Sequence, residues 1–279
     1  MSEIVVSTWV VGAELGNTLD IIQELGLHLL ELLASVAVHD QDLRDEHVVA
    51  EVWDMTTARG QQVYSVHNAF GPEWCLATPQ ADQRKLALAN HTALLRAAGT
   101  LDSEHAVIHA GELHPGEPAP AQLERFLLGL QELLPVAQEA GVLIAVENLP
   151  PDHLGSSLEQ MRWVLDRLDP DLVGFCCDTG HAQLAGTPPA TWIRELGDRL
   201  IGVHLQDTNG HNDAHLFPGT GRIDWEEFFA SLRELDYRLP LTLEAFPPAD
   251  MPWAEAARIA ERAVGELQPP RLPGWVGEG

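Results

Sequence analysis

Three carboxylates stand in the chain where a carboxylate is costly. Glu147 closes the run Ile144-Ala145-Val146-Glu147, Glu244 interrupts Leu241-Thr242-Leu243-Glu244-Ala245, and Asp178 follows Phe175-Cys176-Cys177. An ionised carboxylate inside an apolar strand needs a cation or a hydrogen-bond network to be buried at all. The strand-like Ile201-Gly202-Val203-His204-Leu205 adds an imidazole in a similar setting. If these side chains converge, their negative charges repel one another severely, and a divalent metal relieves the repulsion through oxygen and nitrogen donors. The chain is therefore expected to hold one or more divalent ions, Mn, Zn, Co, Fe or Mg. Further donors recur in His67-Asn68, His109-Ala110-Gly111, Asp178-Thr179-Gly180-His181 and Asp213-Ala214-His215. Taken singly, a histidine such as His67 or His109 is more often a hydrogen-bonded structural residue than a ligand.

Something must bring residues so far apart in sequence to one place. Eight short apolar runs, at 4–9, 27–33, 62–67, 106–109, 143–148, 173–178, 201–206 and 241–245, alternate with amphipathic stretches such as 80–98, 121–140, 158–168, 225–235 and 252–267. The runs are continuously apolar rather than alternating, as in buried parallel strands. Gly60, Gly99 and Gly141 fit helix C-caps, and Asp224 before Trp225-Glu226-Glu227 fits an N-cap. Eight strand-then-helix units predict an α/β fold, a single (β/α)₈ TIM barrel over residues 1–267, with an irregular tail at 268–279 containing Pro269, Pro270 and Pro273. The alternative, a doubly wound open sheet, lacks a Gly-x-Gly-x-x-Gly turn after its first strand. In a TIM barrel the chemistry sits at the C-terminal ends of the strands. The polar residues named above fall at those ends on six successive strands.

Bulk properties narrow the function classes. With 16 Lys+Arg against 42 Asp+Glu, the 279-residue chain carries a formal net charge of −26. Such a surface repels phosphate backbones, so nucleic acid is an unlikely partner. Lys85 is the only lysine and falls in a helix-like stretch, which argues against a Schiff-base aldolase. Cys75, Cys176 and Cys177 make no disulfide framework and read as buried thiols. No apolar run is long enough to span a membrane, and the first residues lack a signal-peptide pattern, so a cytoplasmic location is expected.

The segments Val146-Glu147-Asn148, Cys177-Asp178-Thr179-Gly180-His181, Val203-His204-Leu205-Gln206-Asp207, Asp213-Ala214-His215-Leu216-Phe217-Pro218-Gly219-Thr220-Gly221-Arg222-Ile223-Asp224-Trp225 and Leu243-Glu244 resemble the xylose isomerase-like barrel superfamily. That superfamily includes sugar and sugar phosphate isomerases and epimerases and the endonuclease IV type of AP endonuclease. The resemblance covers residues 1–267. In the isomerase and epimerase branch it implies one metal held by Glu147, Asp178, His204 and Glu244. In the endonuclease branch it implies a multi-zinc site that adds His67, His109, His181, Asp213 and His215. Departures from the nuclease pattern include Leu149-Pro150-Pro151 after Glu147-Asn148 and the loop Gln206-Asp207-Thr208-Asn209-Gly210.

The activity implied is a metal-dependent isomerisation or epimerisation of a sugar or small hydroxy-ketone by proton transfer through an enediolate. Glu147 and Glu244 would serve as base and acid, and the metal would hold the oxygens of the substrate. The alternatives are an AP endonuclease and another metal-dependent lyase or dehydratase. Trp9, Phe70, Trp74 and Phe246 follow strands 1, 3 and 8 and are expected to wall the substrate. Arg222 is the cation of the strand-7 loop and is assigned to substrate binding. The expected partners are a sugar-like small molecule and, at most, further copies of the chain in a homo-oligomer.

Overall fold

A computed structural model describes residues 3–12 and 14–272. Eight parallel strands, β1 (Ile4–Ser7), β2 (Leu29–Ala34), β3 (Gln62–Asn68), β4 (His105–His109), β5 (Leu143–Glu147), β6 (Val173–Asp178), β7 (Leu200–Leu205) and β8 (Leu241–Leu243), pair in chain order. β8 pairs with β1 through Val6 opposite Leu243, so the sheet closes into a (β/α)₈ barrel. The helices are α1 (Thr8–Val11), α2 (Leu15–Glu24), α3 (Val36–His39), α4 (Glu46–Thr57), α5 (Ala81–Thr100), α6 (Ala119–Ala140), α7 (Leu158–Leu165), α8 (Thr179–Leu184), α9 (Pro189–Leu196), α10 (Trp225–Glu234) and α11 (Trp253–Glu266). Beyond α11, residues 268–272 carry neither helix nor strand, and Pro273 with the rest of the expected tail lies outside the described residues.

The apolar runs form strands because both of their faces are covered. One face packs under the helices in the main core, and the other fills the barrel. In α10, Trp225, Phe228, Phe229 and Leu232 make the buried stripe that a helix period demands. Inside the barrel the strand period of two rules. Val107, Ala145 and Cys176 form a small interior cluster, and two residues further along the same strands stand His109, Glu147 and Asp178. Register then aligns the donors: His109 is paired with Glu147 across β4 and β5, and Asp178 with His204 across β6 and β7.

Several boundaries differ from the sequence reading, each for a local reason. β1 ends at Ser7, and Trp9 lies in α1, where Thr8 Oγ1 accepts from Leu33 N at 3.2 Å. β5 stops at Glu147, and Asn148 continues the pairing through its side chain: its Oδ1 accepts from Asp178 N at 2.8 Å and its Nδ2 donates to Asp178 O at 2.9 Å. β8 stops at Leu243, yet Glu244 N still donates to Leu205 O at 3.1 Å. His91 and His105, outside the expected donor set, are both buried, and His91 Nε2 donates to Trp74 O at 2.8 Å.

Gly60 and Gly141 take the left-handed conformation expected after a helix. Gly99 does not cap: it lies inside α5, and a Cβ there would meet Ala140 O at 2.7 Å and Ala140 Cβ at 3.0 Å. Its role is close approach of α5 to α6. Alanine normally gains about 1 kcal/mol over glycine inside a helix. At Gly99 the clash is expected to win, so Gly99→Ala should lose about 1–3 kcal/mol of stability and lower the melting temperature. A raised melting temperature in a thermal denaturation scan would contradict this packing.

Candidate metal centre

The barrel brings nine expected donor residues to its C-terminal rim. Glu147 is the hub. Its Oε2 lies 3.1 Å from His67 Nε2 and 2.9 Å from His109 Nε2. Its Oε1 lies 3.3 Å from His181 Nδ1 and 3.4 Å from His204 Nδ1. His204 Nδ1 is also 2.9 Å from Glu244 Oε2. Asp213 Oδ2 sits between His181 Nε2 at 3.1 Å and His215 Nε2 at 3.2 Å. Four donor sets follow: His67 with His109 and Glu147, Glu147 with Asp178, His204 and Glu244, His181 with Asp213 and His215, and Glu31 of β2 with His67, His204 and Glu244. Within each, ligand atoms lie within 4.8 Å of one another.

A residue outside that expectation joins them. Glu31, in the middle of β2, is fully buried, and its Oε2 lies 3.1 Å from His204 Nε2 and 2.8 Å from Ser65 Oγ. Its signal was present in Leu29-Leu30-Glu31-Leu32-Leu33, a carboxylate in an apolar run like Glu147. It lies within its strand rather than at the end, where sequence reasoning looked. A register shift at Leu30/Glu31 leaves Tyr64 unpaired and sets Glu31 opposite Ser65.

The histidines are oriented by their outer nitrogens. Nδ1 of His67 donates to Asn68 O at 2.7 Å, Nδ1 of His181 to Asn148 O at 3.0 Å, and Nδ1 of His215 to Glu244 O at 2.8 Å. Each bond turns Nε2 toward the carboxylates. His204 is reversed: Nε2 faces Glu31, and Nδ1 faces Glu147 and Glu244. That Nδ1 is buried and has no hydrogen bond of acceptable geometry. An orphaned acceptor costs about 1–3 kcal/mol. A lone pair so placed, ringed by carboxylate oxygens, fits a divalent cation with mixed nitrogen and oxygen donors.

Electrostatics agree with this account. Burial by itself would depress the His67 imidazole, but the hydrogen bond and charge of Glu147 raise it to about 9. His215 likewise rises to about 9 against burial, through Asp213 and Glu244. Burial lifts Asp178 to about 6, with His181 opposing and Glu147, Glu244 and Asp213 adding repulsion. Burial would raise Glu31, but His204 brings it down to about 2. Protons on His67, His181, His204 and His215 thus balance the carboxylates when no metal does, whereas burial holds His109 below the ordinary histidine range.

The expected substrate-contacting residues divide. Trp9 and Phe70 line a cavity of about 390 Å³ over the centre together with His67, His109, Glu147, His181, Asp213, His215 and Glu244. Trp9 packs on His215 with ring centroids 4.5 Å apart and on Phe246 at 5.3 Å. Trp74 is buried and lines a neighbouring cavity of about 210 Å³ that Phe70 and His109 share. Arg222 is exposed, its side chain lies along Gly210, and it is not among the residues lining the cavity over the centre. Asp207 serves the fold: its carboxylate accepts from the backbone N–H of Thr208, Gly219, Gly221, Arg222 and Ile223 and from Trp225 Nε1. A Cβ at Gly221 would fall 2.2 Å from Asp207 Oδ1, which accounts for glycine there.

Comparison with known proteins bears on the family and the fold. The family model described as xylose isomerase-like TIM barrel matches residues 19–263, and the chain belongs to that family. It is 30% identical to an uncharacterised protein of Methanocaldococcus jannaschii over 167 residues, 58% of this chain and 57% of that one. It is 30% identical to the D-psicose 3-epimerase of Enterocloster bolteae over 124 residues, 44% of this chain and 40% of the relative. A probable endonuclease 4 of Methanoculleus marisnigri is 29% identical over 204 residues, 66% of this chain and 71% of that protein. The match thus spans only about half the length of the first two relatives. The crystal structure of a D-tagatose 3-epimerase-like protein superposes with a TM-score of 0.81 at 22% identity, covering 95% of this chain and 96% of the other, a likeness of fold. Among the described residues no helix is long and apolar enough to cross a membrane.

Metal uptake must displace protons from imidazoles held above the ordinary histidine range. Affinity for Mn²⁺ or Zn²⁺ should therefore climb as pH rises above 7, with protons released on binding. His204→Ala should weaken binding at least tenfold. Calorimetry in buffers of different ionisation enthalpy reads both effects; binding without proton release would contradict the arrangement.

Proposed function

We propose that the chain is a divalent-metal-dependent epimerase or isomerase of a sugar or small hydroxy-ketone. One observation carries the reading: Glu147 and Glu244 meet at the same His204 Nδ1, at 3.4 and 2.9 Å, and both face the cavity walled by Trp9 and Phe70. A cation seated among Glu147, Asp178, His204 and Glu244 would polarise a substrate carbonyl and offset the charge developing on its oxygen. Glu147 and Glu244 each have two carboxylate oxygens, so one can serve the centre while the other faces the substrate. One takes the proton from the carbon beside the carbonyl, and the other returns a proton to the resulting enediolate. Both line the cavity, and Glu244, 8% exposed, is the more open of the two. Trp9 and Phe70 shed water from the reacting face, and His181, tied to Asn148 and Asp213 through its two ring nitrogens, holds Asp213 at the rim. The epimerases among the relatives support a sugar-like substrate.

A second reading rests on the number of donor sets. Four sets, two of them joined through Glu147, exceed what a single cation needs and suit a multi-zinc centre such as that implied by the endonuclease resemblance. The net charge of −26 opposes it, since a DNA backbone would be repelled.

Turnover of a panel of ketohexoses, ribulose and inosose in deuterated water should place solvent deuterium on substrate carbon. Glu147→Gln and Glu244→Gln should each lower kcat/KM by about 10²-fold or more while metal is still bound. Turnover without deuterium incorporation would refute the proton-transfer assignment. Cleavage of abasic-site duplex DNA at physiological salt, lost in His109→Ala and His215→Ala, would put the second reading first.

A further inference from the structure

Three of the buried histidines at the rim, His67, His181 and His215, have an outer nitrogen tied to a backbone carbonyl. His204 has a carboxylate there instead: Glu31 Oε2 lies 3.1 Å from its Nε2. Glu31 is in turn held by Ser65 Oγ at 2.8 Å, the residue it faces across β2 and β3. Both glutamate and histidine are sealed from solvent, at 0% and 1% exposure, so no water competes for that nitrogen.

We propose that Glu31 is the positioning residue of the centre: it accepts the Nε2–H of His204, fixes that tautomer, and so presents the Nδ1 lone pair to the space between Glu147 and Glu244. The proposal rests on the metal-centre reading and names the group that gives it direction. An imidazole can ligate through either nitrogen, and the hydrogen bond made by the other decides which. Were Nδ1 to carry the proton, it would lie 2.9 Å from Glu244 Oε2 without the geometry of a hydrogen bond, and Nε2 would face the Glu31 carboxylate with no hydrogen between them. Two acceptors would then stand against each other in a buried space. The carboxylate behind the ring also raises the basicity of the ligating nitrogen. Glu31 acts through His204, touches no substrate, and is shielded from the cavity.

The test uses the full chain as wild type, Glu31→Gln and Glu31→Ala. Histidine ¹⁵N NMR of the metal-free protein, at a pH high enough to leave the His204 ring neutral and with its signals identified by their loss in His204→Gln, should show an Nε2–H hydrogen-bonded proton in wild type. Glu31→Gln retains an acceptor oxygen and should keep that tautomer; Glu31→Ala should lose it. Calorimetric titration with Mn²⁺ should show affinity about 10–100-fold weaker in Glu31→Ala, an intermediate loss in Glu31→Gln, and the same number of ions bound in all three. An unchanged tautomer and affinity in Glu31→Ala would overturn the proposal. So would the loss of one bound ion in Glu31→Gln, which would make Glu31 a ligand. If wild type binds no Mn²⁺, the metal reading fails by itself, and the tautomer in the metal-free variants still decides the role of Glu31. If Glu31→Ala does not fold, Ser65→Ala, which removes one support of Glu31, should give the same loss of tautomer in weaker form; an unaltered His204 signal there would overturn the proposal.

Discussion

The organising constraint of this barrel is charge balance around one buried imidazole. His204 receives carboxylates from three directions: Glu31 from β2, Glu147 from β5 and Glu244 from beyond β8. Barrel closure forces that meeting, because strands far apart in sequence end at one rim. Positive charge must reside among these groups, whether as imidazole protons or as a bound cation. Burial pushes His204 toward neutrality, yet its acidic neighbours hold it well above the ordinary histidine range. A proton and a bound cation would thus occupy the same positions.

The interior beneath the rim is shaped to allow this. Val107, Ala145 and Cys176 are small to medium side chains, one strand repeat below His109, Glu147 and Asp178. They leave the carboxylates supported from below without covering them. Asn148 extends the order upward by pairing with the backbone of Asp178 through its amide, so that β5 and β6 stay in register past the end of the ladder. The Glu-Asn pair in the sequence therefore combines a donor with the residue that steadies its neighbour.

Much of this was legible from residue type alone. A carboxylate in an apolar run is a costly choice, and Glu147, Asp178 and Glu244 were found that way; the closed eight-strand barrel followed from the repeat of short apolar runs. Glu31 bore the same mark but lay mid-strand, and its orientation depends on a register shift at Tyr64 that no pattern of residue types encodes. Gly99 looked like a cap because glycine before a strand usually is one, whereas here helix contact required it. Arg222 was assigned by its charge, yet its backbone is what the loop uses, bonded to Asp207 while the guanidinium lies along Gly210. Donor direction, Nδ1 or Nε2, is a property of tertiary hydrogen bonds and was beyond reach of sequence.

The anchoring of Asp207 has a consequence for how this loop can change over evolutionary time. Six donors converge on one carboxylate and clamp both ends of the segment between Thr208 and Trp225. The tip at Asn209–Asn212 bonds mainly within the loop, with Asn209 accepting from His211 N and donating to Asn212 Oδ1. The clamp thereby divides the segment into a fixed frame, which holds Asp213 and His215 against the barrel, and an exposed crest. Insertions or replacements at the crest alter what approaches the rim without moving the frame. A lineage can in this way diversify at one loop while its inherited chemistry stays in place.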